Sequence, residues 1–142
     1  MGNVVYTGEI EKLEGHASYG DGGCVALVQR LTSAGHTSTW KRGQRVVDLR
    51  SLAPGTVIAN FEPDGKGGFR FPNKKGSHAA LFMGFGGRSV TSGRATSIIV
   101  MDQWIGQRVH SRPIRAYGDR PYQPGAGHHD SDNADQFYVV VK

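Results

Sequence analysis

The sequence predicts an α+β fold in which one helix near the amino terminus packs on a mainly antiparallel β-sheet. Three observations predict it. Apolar residues recur at helical spacing most clearly in Leu27, Val28 and Leu31, directly behind a glycine-rich approach. From Thr56 onward they come instead in short runs rich in β-branched and aromatic side chains, set off by turns that contain glycine or proline. Two of those runs, residues 77–85 and 97–104, are joined by a short glycine-containing stretch of the kind that closes a hairpin.

Taken in order, residues 9–15 form a short first helix or turn. The main helix runs over residues 24–34, with Gly35 placed to terminate it. Ala53-Pro54-Gly55 is a turn that introduces a strand over residues 56–61, and Asp64-Gly65-Lys66-Gly67-Gly68 is a loop. The runs at 77–85 and 97–104 are nearly continuous in apolar character, as expected of central strands buried on both faces. A hairpin centred near Val90 sets His78 directly opposite Asp102, with Cβ atoms roughly 4.5–5.5 Å apart. A further strand covers residues 108–113 and the last covers 137–141, while residues 118–135, rich in Gly, Pro, Asp and His, read as a long surface loop.

The 142 residues suit a single domain over 1–142, and 37% hydrophobic with 20% charged residues is a globular composition. One cysteine allows no internal disulfide, so the core alone must hold the fold. The first residues lack the basic-then-apolar pattern of a Sec signal peptide, and no run is long enough to span a membrane. Tyr6 stands where the myristoylation pattern needs Ser or Thr. A net charge of +5 favours an anionic partner such as cell wall, nucleic acid or an acidic protein. The basic stretches Trp40-Lys41-Arg42 and residues 108–115 come without an RNP, KH or helix-turn-helix pattern, so they read as a solvated face, and no nucleic-acid partner is expected. Residues 127–132 (Gly-His-His-Asp-Ser-Asp) hold metal-ligand types, but adjacent histidines point apart and no second cluster matches them. No metal or cofactor is expected. The glycines at 65–68 and 84–87 lack the Walker spacing and read as turns.

Chemistry concentrates on Cys24. It opens the main helix, where unpaired N–H groups and the positive dipole end favour thiolate over thiol. A lone cysteine is often just a packed small hydrophobe, a histidine at a strand end an ordinary hydrogen-bonding residue, and an aspartate there a turn former. Together, in the order Cys24, His78 and Asp102, they supply the thiolate, proton-transferring imidazole and orienting acid of a cysteine hydrolase. A one-residue slip in register would exchange Asp102 with Gln103 as the third member. A non-catalytic basic binding module is the competing reading, as is an acyltransferase that uses the same three residues.

Gly22-Gly23-Cys24-Val25-Ala26-Leu27-Val28, Trp40 with Gly43, Gly55-Thr56-Val57-Ile58-Ala59, Ser77-His78-Ala79-Ala80-Leu81-Phe82-Met83-Gly84 and Asp102-Gln103-Trp104 occur in this order. This set resembles the NlpC/P60 and CHAP branch of papain-like amidases, and within it the small amidase effectors of type VI secretion, of the second or third family with the third favoured. The resemblance implies a papain-like core and a peptidoglycan substrate cut at a peptide-stem amide, pointing to the D-alanyl to meso-diaminopimelate crosslink. It implies Cys24 as nucleophile, His78 as acid and base, Asp102 as orienter, and Tyr19 and Gly23 on the oxyanion and substrate side. It further implies delivery by the type VI secretion apparatus from the producer's cytoplasm to a recipient's periplasm, with an immunity protein as partner and no membrane association.

Overall fold

The computed structural model describes residues 2–120 and 127–142. In chain order these form a 3₁₀ turn at Ile10–Leu13, helix α1 (Cys24–Leu31), β1 (Lys41–Arg45), β2 (Val57–Asn60), β3 (Glu62–Pro63), β4 (Phe69–Arg70), β5 (Ala79–Phe85), β6 (Ser97–Trp104), β7 (Gln107–Arg115) and β8 (Phe137–Val141). Six strands make one sheet in the order β1-β8-β2-β5-β6-β7, every neighbouring pair antiparallel. β3 and β4 form a separate small hairpin around residues 64–68.

Alternation along the central strands sends successive side chains to opposite faces. Ala59, Ala79, Leu81 and Met101 meet Leu27 and Val28 of α1 on one side. Ile58, Ala80, Phe82 and Val100 point the other way, under Val46, Val47, Ala134 and Phe137. Both faces are covered, which is why β5 and β6 read as continuous apolar runs. Each fully buried Leu, Val or Phe contributes about 1.5–3 kcal/mol relative to exposure. Among the described residues no helix is long and apolar enough to cross a membrane.

Four expectations change in detail. α1 stops at Leu31 because Thr32 turns extended and caps Val28: its N–H and Oγ1 both donate to the Val28 carbonyl, at 3.0 and 2.6 Å. β7 extends to Gln107–Arg115. The β5–β6 turn centres on Thr91 and Ser92, since Arg88 bridges Ala95 and the Ser89 N–H donates to the Arg94 carbonyl. A bulge at Met83 takes one residue back from that offset, so Leu81 faces Met101 and Phe82 faces Val100. Continuing this register brings Ala80, not His78, level with Asp102. Finally, residues 118–135 are not a surface loop throughout. Residues 121–126, like Met1, lie outside the described residues, but Asn133, Ala134 and Asp135 are buried. Asn133 pins this stretch by accepting from the Tyr117 N–H and donating to the Gly118 carbonyl. Asn60 Nδ2 donates to the carbonyls of Asp130 and Gln136.

Candidate active site

The approach to Cys24 is built from backbone conformation. Gly20 and Gly22 have φ of +56° and +89°, in the left-handed region that side chains disfavour. The Gly22 N–H closes a turn onto the Tyr19 carbonyl at 3.0 Å, and Asp21 Oδ1 accepts from the Gly23 N–H at 2.8 Å. Gln103, fully buried on β6, holds this loop from beneath. Its Oε1 accepts from the Tyr19 N–H at 2.8 Å, and its Nε2 donates to the carbonyls of Tyr19 (2.9 Å) and Gly23 (2.8 Å). Gly23 is the N-cap of α1 and offers no side-chain cap. Cys24 is therefore the first helical residue, half-buried, and its own N–H is one of the amides that no helical carbonyl satisfies.

His78 lies one residue ahead of β5, 4% exposed, its carbonyl accepting from the Asn60 N–H of β2 at 3.0 Å. The register offset of two residues keeps it on the same sheet face as Asp102, so the pair meets diagonally instead of directly across. His78 Nε2 and Asp102 Oδ2 are 2.6 Å apart, with the Asp102 side chain entirely buried. Nε2 is thus committed to the carboxylate, and Nδ1 is the ring nitrogen left for Cys24. Gln103 points to the opposite face and meets the nucleophile loop, so of the two adjacent residues Asp102 is the one that touches His78.

Electrostatics follow from these contacts. Burial alone would push the Cys24 thiol up, but the hydrogen bond and charge of His78, with backbone hydrogen bonds at Ala79 and Val25, bring it below its ordinary value. Burial likewise opposes a charged His78. Its bonds to Asp102 and Cys24 prevail and raise it to about 9. Asp102 is held low against its burial by His78 and Arg112. The favoured state is a thiolate–imidazolium pair backed by a carboxylate, which equips the site for nucleophilic attack on a carbonyl followed by proton delivery.

Cys24 borders two adjoining clefts. One is flanked by Asp21, Gln29 and His36, and the other by Phe71, Lys74 and Lys75. A third cleft lies beyond His78, between Lys75, Trp104 and Arg112. Tyr19 lines none of these; its ring stacks on His16 at 4.5 Å and its backbone is held by Gln103. The Gly23 amide is occupied by Asp21, which leaves the Cys24 amide as the available donor at the nucleophile. In the 127–132 segment, His128 stacks on Tyr117 at 4.4 Å. Sequence reasoning missed Arg112, whose Nε donates to Asp102 Oδ2 at 2.8 Å. It missed Asn60 as well. The only signal available for Arg112 was its place on the strand predicted after Asp102.

The sequence matches the family model described as domesticated amidase effector 2 over residues 3–140. No curated protein sequence matches it. A solved structure of type 6 secretion amidase effector 2 (Tae2) is similar at a TM-score of 0.73 and 32% sequence identity, covering 96% of this chain and 92% of that one. Both matches are to second-family effectors. The preference for the third family is thereby corrected, the short motifs that carried it being too few to separate the two.

Proposed function

Because the chain belongs to the amidase effector 2 family, we propose that it is a peptidoglycan amidase that works as a cysteine hydrolase through Cys24, His78 and Asp102. The observation that carries this reading is the placement of His78, hydrogen-bonded to Asp102 through Nε2 and left with Nδ1 for Cys24, whose thiolate it favours. The Cys24 thiolate attacks the amide carbonyl, and the developing oxyanion meets the Cys24 backbone N–H at the start of α1. His78 gives its Nδ1 proton to the leaving amine, the C–N bond breaks, and an acyl-enzyme thioester remains. Neutral His78 then takes a proton from water, hydroxide adds to the thioester, and its collapse returns the thiolate and releases the acid. Asp102 stays ionised and holds the imidazole in orientation throughout.

The bond is a peptide-stem crosslink between D-alanine and meso-diaminopimelate. Stem peptides carry both carboxylates and amines, and the clefts at Cys24 present Asp21 on one flank and Lys74 with Lys75 on the other. Residues 1–142 act as one NlpC/P60-like amidase domain, in keeping with the family match over 3–140. The protein is delivered by a type VI secretion apparatus into a recipient's periplasm, where the wall lies, and a cognate immunity protein blocks the cleft at Cys24 in the producer. Tyr19 and Gly23 serve the site through the backbone loop that presents the nucleophile.

Purified sacculi treated with wild type and with Cys24→Ala test the reading, with released muropeptides separated and weighed. Crosslinked dimers should disappear, and monomers gain, with wild type alone. Dimers left intact by a folded wild type would rule out the amidase assignment, and masses showing amine in place of water at the new end would make it a transferase.

A further inference from the structure

Asp102 has a second cationic partner. Arg112 lies on β7 two residues beyond His110, which faces Asp102 directly across the β6–β7 ladder. Its Nε donates at 2.8 Å to Asp102 Oδ2, the same oxygen that meets His78 Nε2 at 2.6 Å. The other ends of the guanidinium hold a different part of the chain. Nη1 donates to Asp132 Oδ1 at 2.9 Å and Nη2 to the Ser131 carbonyl at 3.1 Å. The group lies 5.2 Å from the centre of the Trp104 ring, and only 17% of the side chain is exposed. Three donors of one rigid fork are in use at once, a geometry that a lysine cannot reproduce.

We propose that Arg112 is a positioning residue for the hydrolysis: it fixes the angle of the Asp102 carboxylate, through it the His78 ring that faces Cys24, and ties both to the turn at Asp130–Asp132. The inference rests on the assignment of Cys24, His78 and Asp102 above. Two effects of opposite sign are built into the contact. Orientation favours catalysis, because a shared oxygen leaves Asp102 little freedom to rotate away from the imidazole. Charge works against the imidazolium, since the guanidinium competes with it for the same carboxylate. Arg112 therefore moderates the basicity of His78, and a general acid that must surrender its proton to a leaving amine benefits from that restraint. The groups that face Asp102 are His78 from the start of β5, and Arg112 and His110 from β7, with His110 Nδ1 3.8 Å from Oδ1. Cys24 and Asp102 face His78, and Lys75 borders the neighbouring cleft.

Cys24 is the sole cysteine, so its alkylation by iodoacetamide reports on the thiolate–imidazolium pair without any substrate. Alkylation rate against pH, and kcat and KM on a crosslinked muropeptide, should be measured for wild type, Arg112→Met, Arg112→Lys and Asp132→Asn, with folding checked by circular dichroism. Arg112→Met should lower kcat at least tenfold, toward the ~10²-fold cost of an ångström-scale misplacement, with KM nearly unchanged. The His78 inflection should move to higher pH as a cation is removed. Arg112→Lys should return the inflection toward wild type without restoring kcat, and Asp132→Asn should lower kcat with the inflection in place. A folded Arg112→Met with wild-type kcat and inflection overturns the proposal, as does a variant that loses thermal stability alone. If Arg112→Met does not fold, wild-type kcat in Arg112→Lys overturns it. A wild type that cleaves muropeptides but shows an ordinary thiol profile removes the triad assignment and this inference together. A wild type with the perturbed profile but no cleavage overturns only the substrate.

Discussion

Two imidazoles and a guanidinium converge on the one carboxylate of Asp102, and the pH behaviour of the His78–Asp102 pair is set within that crowding. His78, raised from an ordinary 6.5 to about 9, contributes stability that is complete below pH 6.5 and lost as pH climbs through about 9. Asp102, held below its ordinary 3.8, contributes stability above that value and loses it as pH falls through its depressed one. We expect kcat/KM to rise where Cys24 ionises, below the ordinary thiol range, and to fall as the imidazolium is lost near pH 9. In Asp102→Asn the alkaline limb should move down toward 6.5, because burial then acts on His78 without a carboxylate to oppose it. A pH–rate profile with that limb unmoved would show that Asp102 does not support the imidazole. Cys24, His78 and Asp102 stood out in the sequence because each sits at a recognisable element end, and strand parity alone puts the latter two on one face. Arg112 did not stand out. Its meaning depends on β7 lying beside β6, and within its own stretch it looks like one more residue of a basic face.

Helix α1 and the loop before it act as one presenting element, and the loop's conformation is the demanding part. An added Cβ at Gly20 would lie 2.8 Å from the Ala26 Cβ, at a φ of +56°. Gly20→Ala should lose about 1–2 kcal/mol from the left-handed backbone alone, read as a lowered denaturation midpoint, together with reduced kcat as Cys24 shifts. An unchanged midpoint would mean that the loop relaxes without cost. The strands were largely legible: β6 and β8 span the residues expected, because period-two burial on two faces leaves an unmistakable apolar run. The end of α1 was less so, since Thr32 caps with a side chain that helix propensity does not register. The β5–β6 register was hidden by a turn that centres beyond Val90 and by the bulge at Met83, which trims the slip from three residues to two and which no local residue type announces. That a shift of two leaves facing unchanged is the reason the candidate site survived the error.

Across the whole molecule the net charge of +5 predicts attraction to an anionic polymer that salt should weaken. Retention of Cys24→Ala on intact sacculi should fall as the screening length shortens from about 10 Å at 0.1 M salt to about 3 Å at 1 M. Retention that does not change with salt would place the affinity in short-range contacts at the clefts. Strand order was the part of the fold that the sequence left open, because neighbours in a sheet are chosen by three-dimensional packing and not by proximity along the chain. That order puts β8, the last strand in the chain, in the interior between β1 and β2. During synthesis, β2 therefore waits with an unpaired flank until residues 137–141 have left the ribosome. No earlier length of chain can complete the face under Phe137, the residue whose ring packs 6.5 Å from His78. A chain that has not yet released residues 137–141 therefore lacks the aromatic wall behind His78.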